Sequence, residues 1–184
     1  MKHVNKLIRE IAPVIVGILI ALFINNWNED RKEKKYLDQI FSSIEKELEE
    51  SLLEIQEVIP KQLASADTLQ AYMNDDDVSL YSILMKSNGI HMPRIRTNSW
   101  NAISNTRINL VEYDKLSALA DIEDRKINLY NRVEKQLEFT FQNFEETGTS
   151  KKQILNMILL DVVGAEQRLL AKIEEFLENE TEAP

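Results

Sequence analysis

The chain has no cysteine among its 184 residues. That excludes a disulfide framework and any thiolate chemistry, nucleophilic or metal-binding. Only two histidines occur, His3 and His91, and two distant imidazoles do not build a typical zinc site. Glycine and proline occur four times each, and no Gly-rich phosphate cradle or nucleophile elbow is present. No base, nucleophile and orienting group fall into a pattern that suggests covalent catalysis. Catalytic, cofactor-binding and metal-ligating residues are accordingly all assigned as none, and the chain is expected not to be an enzyme. With so few helix breakers, and with Leu, Ile, Glu, Lys and Asn abundant, the composition is that of an all-α protein. The length suits one domain plus an anchor.

Charge is unevenly distributed. The whole chain carries −9, yet residues 36–184 hold 15 Lys and Arg against 27 Asp and Glu, a net of −12. Such a domain is repelled by nucleic acid and by anionic lipid surfaces, which argues against DNA or RNA as a partner.

What is there instead is one long apolar run. Residues 11–24 are fourteen positions without a polar side chain, about 21 Å as a helix against the roughly 30 Å of a bilayer core. Leu7 and Ile8 extend the run backward, with Arg9 and Glu10 placed to snorkel. Asn25, Asn26 and Trp27 extend it forward, and Trp suits the headgroup boundary. Residues 7–27 then reach about 31 Å. The run predicts a membrane anchor made by Ile11, Val14, Ile15, Gly17, Ile18, Leu19, Ile20, Ala21, Leu22, Phe23, Ile24 and Trp27, with the lipid bilayer as partner. Pro13 is placed in the first turns, where a missing N–H costs little. A buried core helix is the competing reading, but such helices usually keep a polar stripe. A cleaved signal peptide is another. Lys2, Lys6 and Arg9 suit its start, but residues 22–26 offer no small-x-small cleavage pattern, so an uncleaved signal anchor is expected. Positive charge on the two sides of the run is nearly balanced. The acidic domain sits poorly against a negative cytoplasmic leaflet, so the bulk of the chain is expected on the periplasmic side of a bacterial inner membrane.

The residues Gly17-Ile18-Leu19-Ile20-Ala21-Leu22-Phe23-Ile24-Asn25-Asn26-Trp27-Asn28-Glu29, followed by a basic run from Arg31 to Lys35, resemble the N-terminal signature of a bacterial family of small, single-pass, helical membrane proteins catalogued as a domain of unknown function. A second stretch, from Trp100 to Val111, is similar to that family's short aromatic-bearing helix and the polar turn after it. The family usually has a glycine in that turn; here there is none, and Arg107 falls nearby. The resemblance implies an N-terminal anchor and a helical domain, and no activity.

Beyond the anchor, apolar residues recur at spacings of three and four. Leu37, Phe41, Ile44, Leu48, Ser51 or Leu52, Ile55 and Ile59 mark one seam, and Leu63, Ala66, Leu69 and Tyr72 or Met73 continue it past Pro60, which kinks the helix or starts a new one. The seam suits an intramolecular bundle or an intermolecular coiled coil. Asn74-Asp75-Asp76-Asp77 lacks the alternation, glycine and distal Glu of a calcium loop, so an Asp is expected to cap a helix over 78–86. Asn88-Gly89 ends that helix and 90–96 is a loop. Thr97 caps a short helix bearing Trp100 and Ile103.

Glu112 or Asp114 opens a long helix with a stripe at Leu116, Leu119 or Ala120, Ile127, Tyr130, Val133, Leu137, Phe141 and Phe144, broken at Glu123. After the turn at 147–150, a last helix carries Ile154, Met157 or Ile158, Leu160 or Asp161, Val162, Ala165, Leu169, Ile173 and Phe176 or Leu177. The pattern predicts an up-and-down bundle of three long and two short helices, with an anchor at 1–28, the bundle at 29–179 and a frayed acidic tail at 180–184.

Arg94, Arg96 and Trp100 are the candidate ligand or partner contacts. Arginines in an acidic domain suit an anionic group or a partner carboxylate, and Trp100 suits a pocket wall. The plainer readings are ion pairs with the surplus carboxylates and a core anchor. The expected role is a non-enzymatic interaction or assembly module, with protein partners or self-association. Gly17-x-x-x-Ala21 offers a small-xxx-small contact for a second membrane helix. The alternative is a membrane-tethered sensory or ligand-binding bundle.

Overall fold

A computed structural model describes residues 2–182, with side chains described for 13–180. Five α-helices and a single 3-10 turn, with no strand among the described residues, confirm an all-α helical bundle. Helix α1 runs Lys2–Ala71, α2 Leu80–Lys86, α3 Asn98–Ser104, α4 Tyr113–Gln142 and α5 Thr149–Glu182, with the 3-10 turn at Ile108–Leu110. The chain divides into two compact units, Met1–Ser42 and Ser43–Pro184. Pro13 lies inside α1 rather than in its first turns. Among the described residues, no helix is long and apolar enough to cross a membrane.

The second unit is a bundle because three helices each bury one seam. On α1 the buried positions are Ile44, Leu48, Ser51, Ile55, Val58, Gln62, Ala66, Leu69 and Met73, a three–four alternation that keeps one face inward. Pro60 does not break this helix. It and Gln56 are exposed, so the carbonyl that loses its amide partner lies on the wet side, where water replaces the bond.

Interhelix bonds fix the directions. Gln62 Nε2 donates to Glu166 Oε1 at 2.9 Å, and Lys152 Nζ donates to the Tyr72 carbonyl at 3.0 Å, so α5 runs antiparallel to α1. Lys115 pairs with Glu180, and Arg132 with Asp161, so α5 is also antiparallel to α4. Helices α1 and α4 therefore run the same way, which corrects the up-and-down topology. The chain returns between them through the 72–112 segment. Along it, Arg96 N donates to Ser51 Oγ at 2.8 Å, Ile95 N to the Tyr130 hydroxyl at 2.9 Å, and Lys126 Nζ to Thr97 Oγ1 at 2.6 Å.

The short helices end as local chemistry requires. Ser79, not an Asp, caps α2: its hydroxyl accepts from Ser82 N at 3.3 Å, while Asp75 Oδ1 accepts from Asp77 N in a tight turn. The free amides of Leu80 and Tyr81 donate to the carbonyls of Glu146 and Phe144, both at 3.0 Å, which docks α2 on the α4–α5 turn. Asn88 (φ 61°) and Gly89 (φ 92°) take left-handed backbone after α2, as expected for a helix stop. Thr97 occupies the N-cap position of α3 without a side-chain cap bond. The cap comes from α1, where the Glu47 carboxylate accepts from Ser99 N at 3.1 Å and Ser99 Oγ at 3.0 Å. At the acidic end α5 reaches Glu182 and Glu180 pairs with Lys115, and residues 183 and 184 lie outside the described residues.

Candidate functional site

The apolar run near the amino terminus is a helix whose described side chains are left uncovered on every side. Val14, Ile15, Val16, Ile18, Leu19, Ile20, Leu22, Phe23, Ile24 and Trp27 are between 50% and 72% exposed. Gly17 and Ala21 are also exposed, and a Cβ placed on Gly17 meets nothing within 4 Å. Ten large apolar side chains left open are the reverse of a core helix, which surrenders such surface to neighbours. The side chain of Ile11 lies outside the described residues. On the polar edge, Asn25 Nδ2 donates to Glu29 Oε1 at 3.1 Å.

Arg94, Arg96 and Trp100 have different surroundings. Trp100 is 6% exposed and belongs to the core with Ile103. Arg96 Nη1 pairs with Glu50 Oε2 at 2.9 Å, so its charge is spent against α1. Arg94 is exposed.

The bundle's own unusual chemistry lies at its centre, on residues the sequence reading passed over. Glu166 on α5 is 0% exposed. One carboxyl oxygen accepts from Gln62; the other has no hydrogen-bond partner. Burial pushes this carboxyl up to about 7, against the smaller opposing effect of the Gln62 hydrogen bond. Gln136 of α4, 4% exposed, likewise has its Oε1 unpartnered. Gln62 also donates to the His91 carbonyl at 3.1 Å, which ties the loop after α2 to the same centre. Gln62, Gln136 and His91 line a cavity of about 30 Å³, otherwise walled chiefly by Leu69, Leu80, Ile83 and Leu155. That space suits one or two waters. Lys152 is fully buried too, its ammonium donating to the carbonyls of Tyr72 and Asp75 at 3.0 and 2.5 Å. A cation there completes the C-terminal end of α1. Gln62, Gln136, Lys152 and Glu166 all fall on the buried seams of their helices, but as polar side chains they give hydrophobic periodicity no signal. Among the described residues no three His, Asp or Glu side chains gather to hold a metal ion.

No family model, curated protein or solved structure matches the chain.

Proposed function

We propose that the chain is a single-pass, membrane-anchored bacterial protein whose helical bundle acts by contact or assembly with other proteins, without a catalytic step of its own. The observation that carries this reading is the exposure of apolar side chains around the full circumference of α1 between Val14 and Trp27. Exposed apolar surface on this scale marks a place that something apolar covers. The ten strong hydrophobes of the run favour bilayer insertion by roughly 3–6 kcal/mol. The described apolar part, residues 13–24, gives only about 18 Å of helix. The anchor therefore depends on residues 7–12 as well, to approach the roughly 30 Å of hydrocarbon. The resemblance carried by residues 17–29 supports the same assignment. Ile154, Met157 and Leu160 of α5, all exposed, add an apolar surface suited to protein contact, and Gly17 with Ala21 suits self-association within lipid. The bundle is placed on the periplasmic side.

The test is fractionation of the full chain. It should sediment with membranes through an alkaline carbonate wash and dissolve only with detergent, and Leu19→Arg with Leu22→Arg should release it. Recovery in the aqueous fraction without detergent, or a mature chain that begins beyond Trp27, overturns the proposal. Because the natural chain has no cysteine, labelling Ser150→Cys in intact cells with a membrane-impermeant maleimide reads out the orientation.

A further inference from the structure

Helices α4 and α5 frame a groove whose charge is opposite to that of the chain. Arg125, Asn128, Arg132 and Lys135 stand at i, i+3, i+7 and i+10 on α4, one helical face. A cavity of about 210 Å³ is lined by Arg125, Asn128, Arg132, Ala165 and Arg168. A second, of about 320 Å³, shares Asn128 and Arg132 and adds Asn131, Lys135, Ile158 and Asp161. The shared residues make the two one groove. Four cations and one acid line it, in a domain where acids outnumber bases 27 to 15 over residues 36–184.

The cations are not used up internally. Arg132 pairs with Asp161, and Arg125 uses its Nε on Asp121 Oδ1 at 3.1 Å. Arg168 and Lys135 have no carboxylate within ion-pair distance among the described residues. Arg168 is also shaped by its neighbour. Its Nη1 lies 3.3 Å from where a Cβ on Gly164 would stand, so the missing side chain lets the guanidinium lie close over α5. Like charges lining one groove repel one another, and an anion between them removes the repulsion. Guanidinium forks match the oxygens of a phosphate group in pairs, and the Asn128 amide supplies a further donor.

We propose that this groove binds a multivalent oxyanion of the phosphate class, either a soluble phosphate or a phospholipid headgroup. The site is independent of the anchor and of the assembly role.

The full chain in non-ionic detergent is titrated with inorganic phosphate and pyrophosphate, with binding followed by calorimetry and by amide NMR at Asn128, Asn131 and Gly164. Saturable, salt-sensitive binding at these amides is expected, stronger for pyrophosphate. Arg125→Gln with Arg168→Gln should weaken it about tenfold while helical circular dichroism and the unfolding midpoint stay in place. Asp161→Asn, which frees Arg132, should strengthen it about threefold. The same micelles doped with phosphatidylglycerol identify the source. Shifts at these amides from lipid but not from pyrophosphate assign a headgroup, and the reverse assigns a soluble phosphate. Absence of saturable shifts from all three anions overturns the proposal, as does a double variant that binds within twofold of the natural chain.

Discussion

Replacing Glu166 by glutamine should change how the bundle's stability depends on pH. In the folded chain the Glu166 carboxyl titrates near 7, whereas its free value is 4.5. Between those values the folded state keeps a proton that the unfolded state has released. Stability therefore falls as pH rises through this window, and the loss is complete above about pH 7; below about pH 4.5 it is absent. The interval is about 2.5 pH units. At 1.36 kcal/mol per unit this amounts to about 3 kcal/mol. The cause is desolvation: Glu166 is 0% exposed, accepts one hydrogen bond, from Gln62, and has a second oxygen with no partner. Glutamine keeps the shape and the oxygen that accepts from Gln62, and it does not ionise.

Urea unfolding of the full chain and of Glu166→Gln in detergent, followed by helical circular dichroism from about pH 4.5 to about pH 8.5, measures the difference. The two should be nearly equal at the acid end. The variant should be more stable by about 3 kcal/mol at the alkaline end, or about 6–12 °C in melting temperature for a chain of this length. Parallel curves across the range would show that Glu166 is already solvated or paired when folded, and the burial argument would fail. Gln62→Leu, which removes the donor to the ionised carboxylate, should enlarge the alkaline loss rather than relieve it.

Three further outcomes follow from single contacts. Glu47→Ala removes the cap that α1 lends to α3, and should cost about 1 kcal/mol in urea unfolding. Lys152→Met removes the buried ammonium that donates to the carbonyls of Tyr72 and Asp75, and should cost about 1–3 kcal/mol; an unchanged midpoint would mean that water takes over the ammonium's role. Trp100→Ala should cost about 3–5 kcal/mol, because the ring is core, while Arg94→Ala at an exposed position should stay within about 0.5 kcal/mol.

Where seams are apolar, the sequence places them correctly. Ile44, Leu48, Ser51 and Ile55 on α1, and Val162, Ala165, Leu169, Ile173 and Phe176 on α5, are buried as their spacing predicts. Where a seam carries polar residues, the reading slips to the wrong face. On α1 it moves to Ile59 and Leu63, yet Val58 and Gln62 are the buried pair and Leu63 is 40% exposed. On α4 it selects Ile127 and Phe141, both exposed, over Ile122, Leu129, Gln136 and Thr140. On α5 it begins at Ile154, with Met157 or Ile158 and Leu160 or Asp161 next, and passes over Lys152 and Glu166; Ile154, Met157 and Leu160 are exposed. Hydrophobic periodicity weights side chains by their transfer cost alone. A buried polar group whose partner lies on another helix is invisible to it, because the compensating hydrogen bond is a long-range fact. Of the candidate trio, Trp100 is core and Arg96 pairs with Glu50, while Arg94 is exposed.

Those same polar residues account for the topology that periodicity left open. An apolar stripe packs against another stripe about equally well in either direction, so the three long seams alone do not decide whether α4 runs with α1 or against it. Donor–acceptor pairs do decide. Ser51 accepts from Arg96 N while donating to the Glu47 carbonyl, Glu47 holds Ser99, Tyr130 holds Ile95 and Lys126 holds Thr97. Together they pin the returning 89–99 segment between α1 and α4 in one register. Reversing α4 would carry Tyr130 and Lys126 away from that segment and leave the Ile95 amide without its partner. Such an unmade bond costs about 1–3 kcal/mol where the group is buried. The apolar seams supply most of the stabilisation, and the polar residues set among them select the parallel arrangement over its reverse.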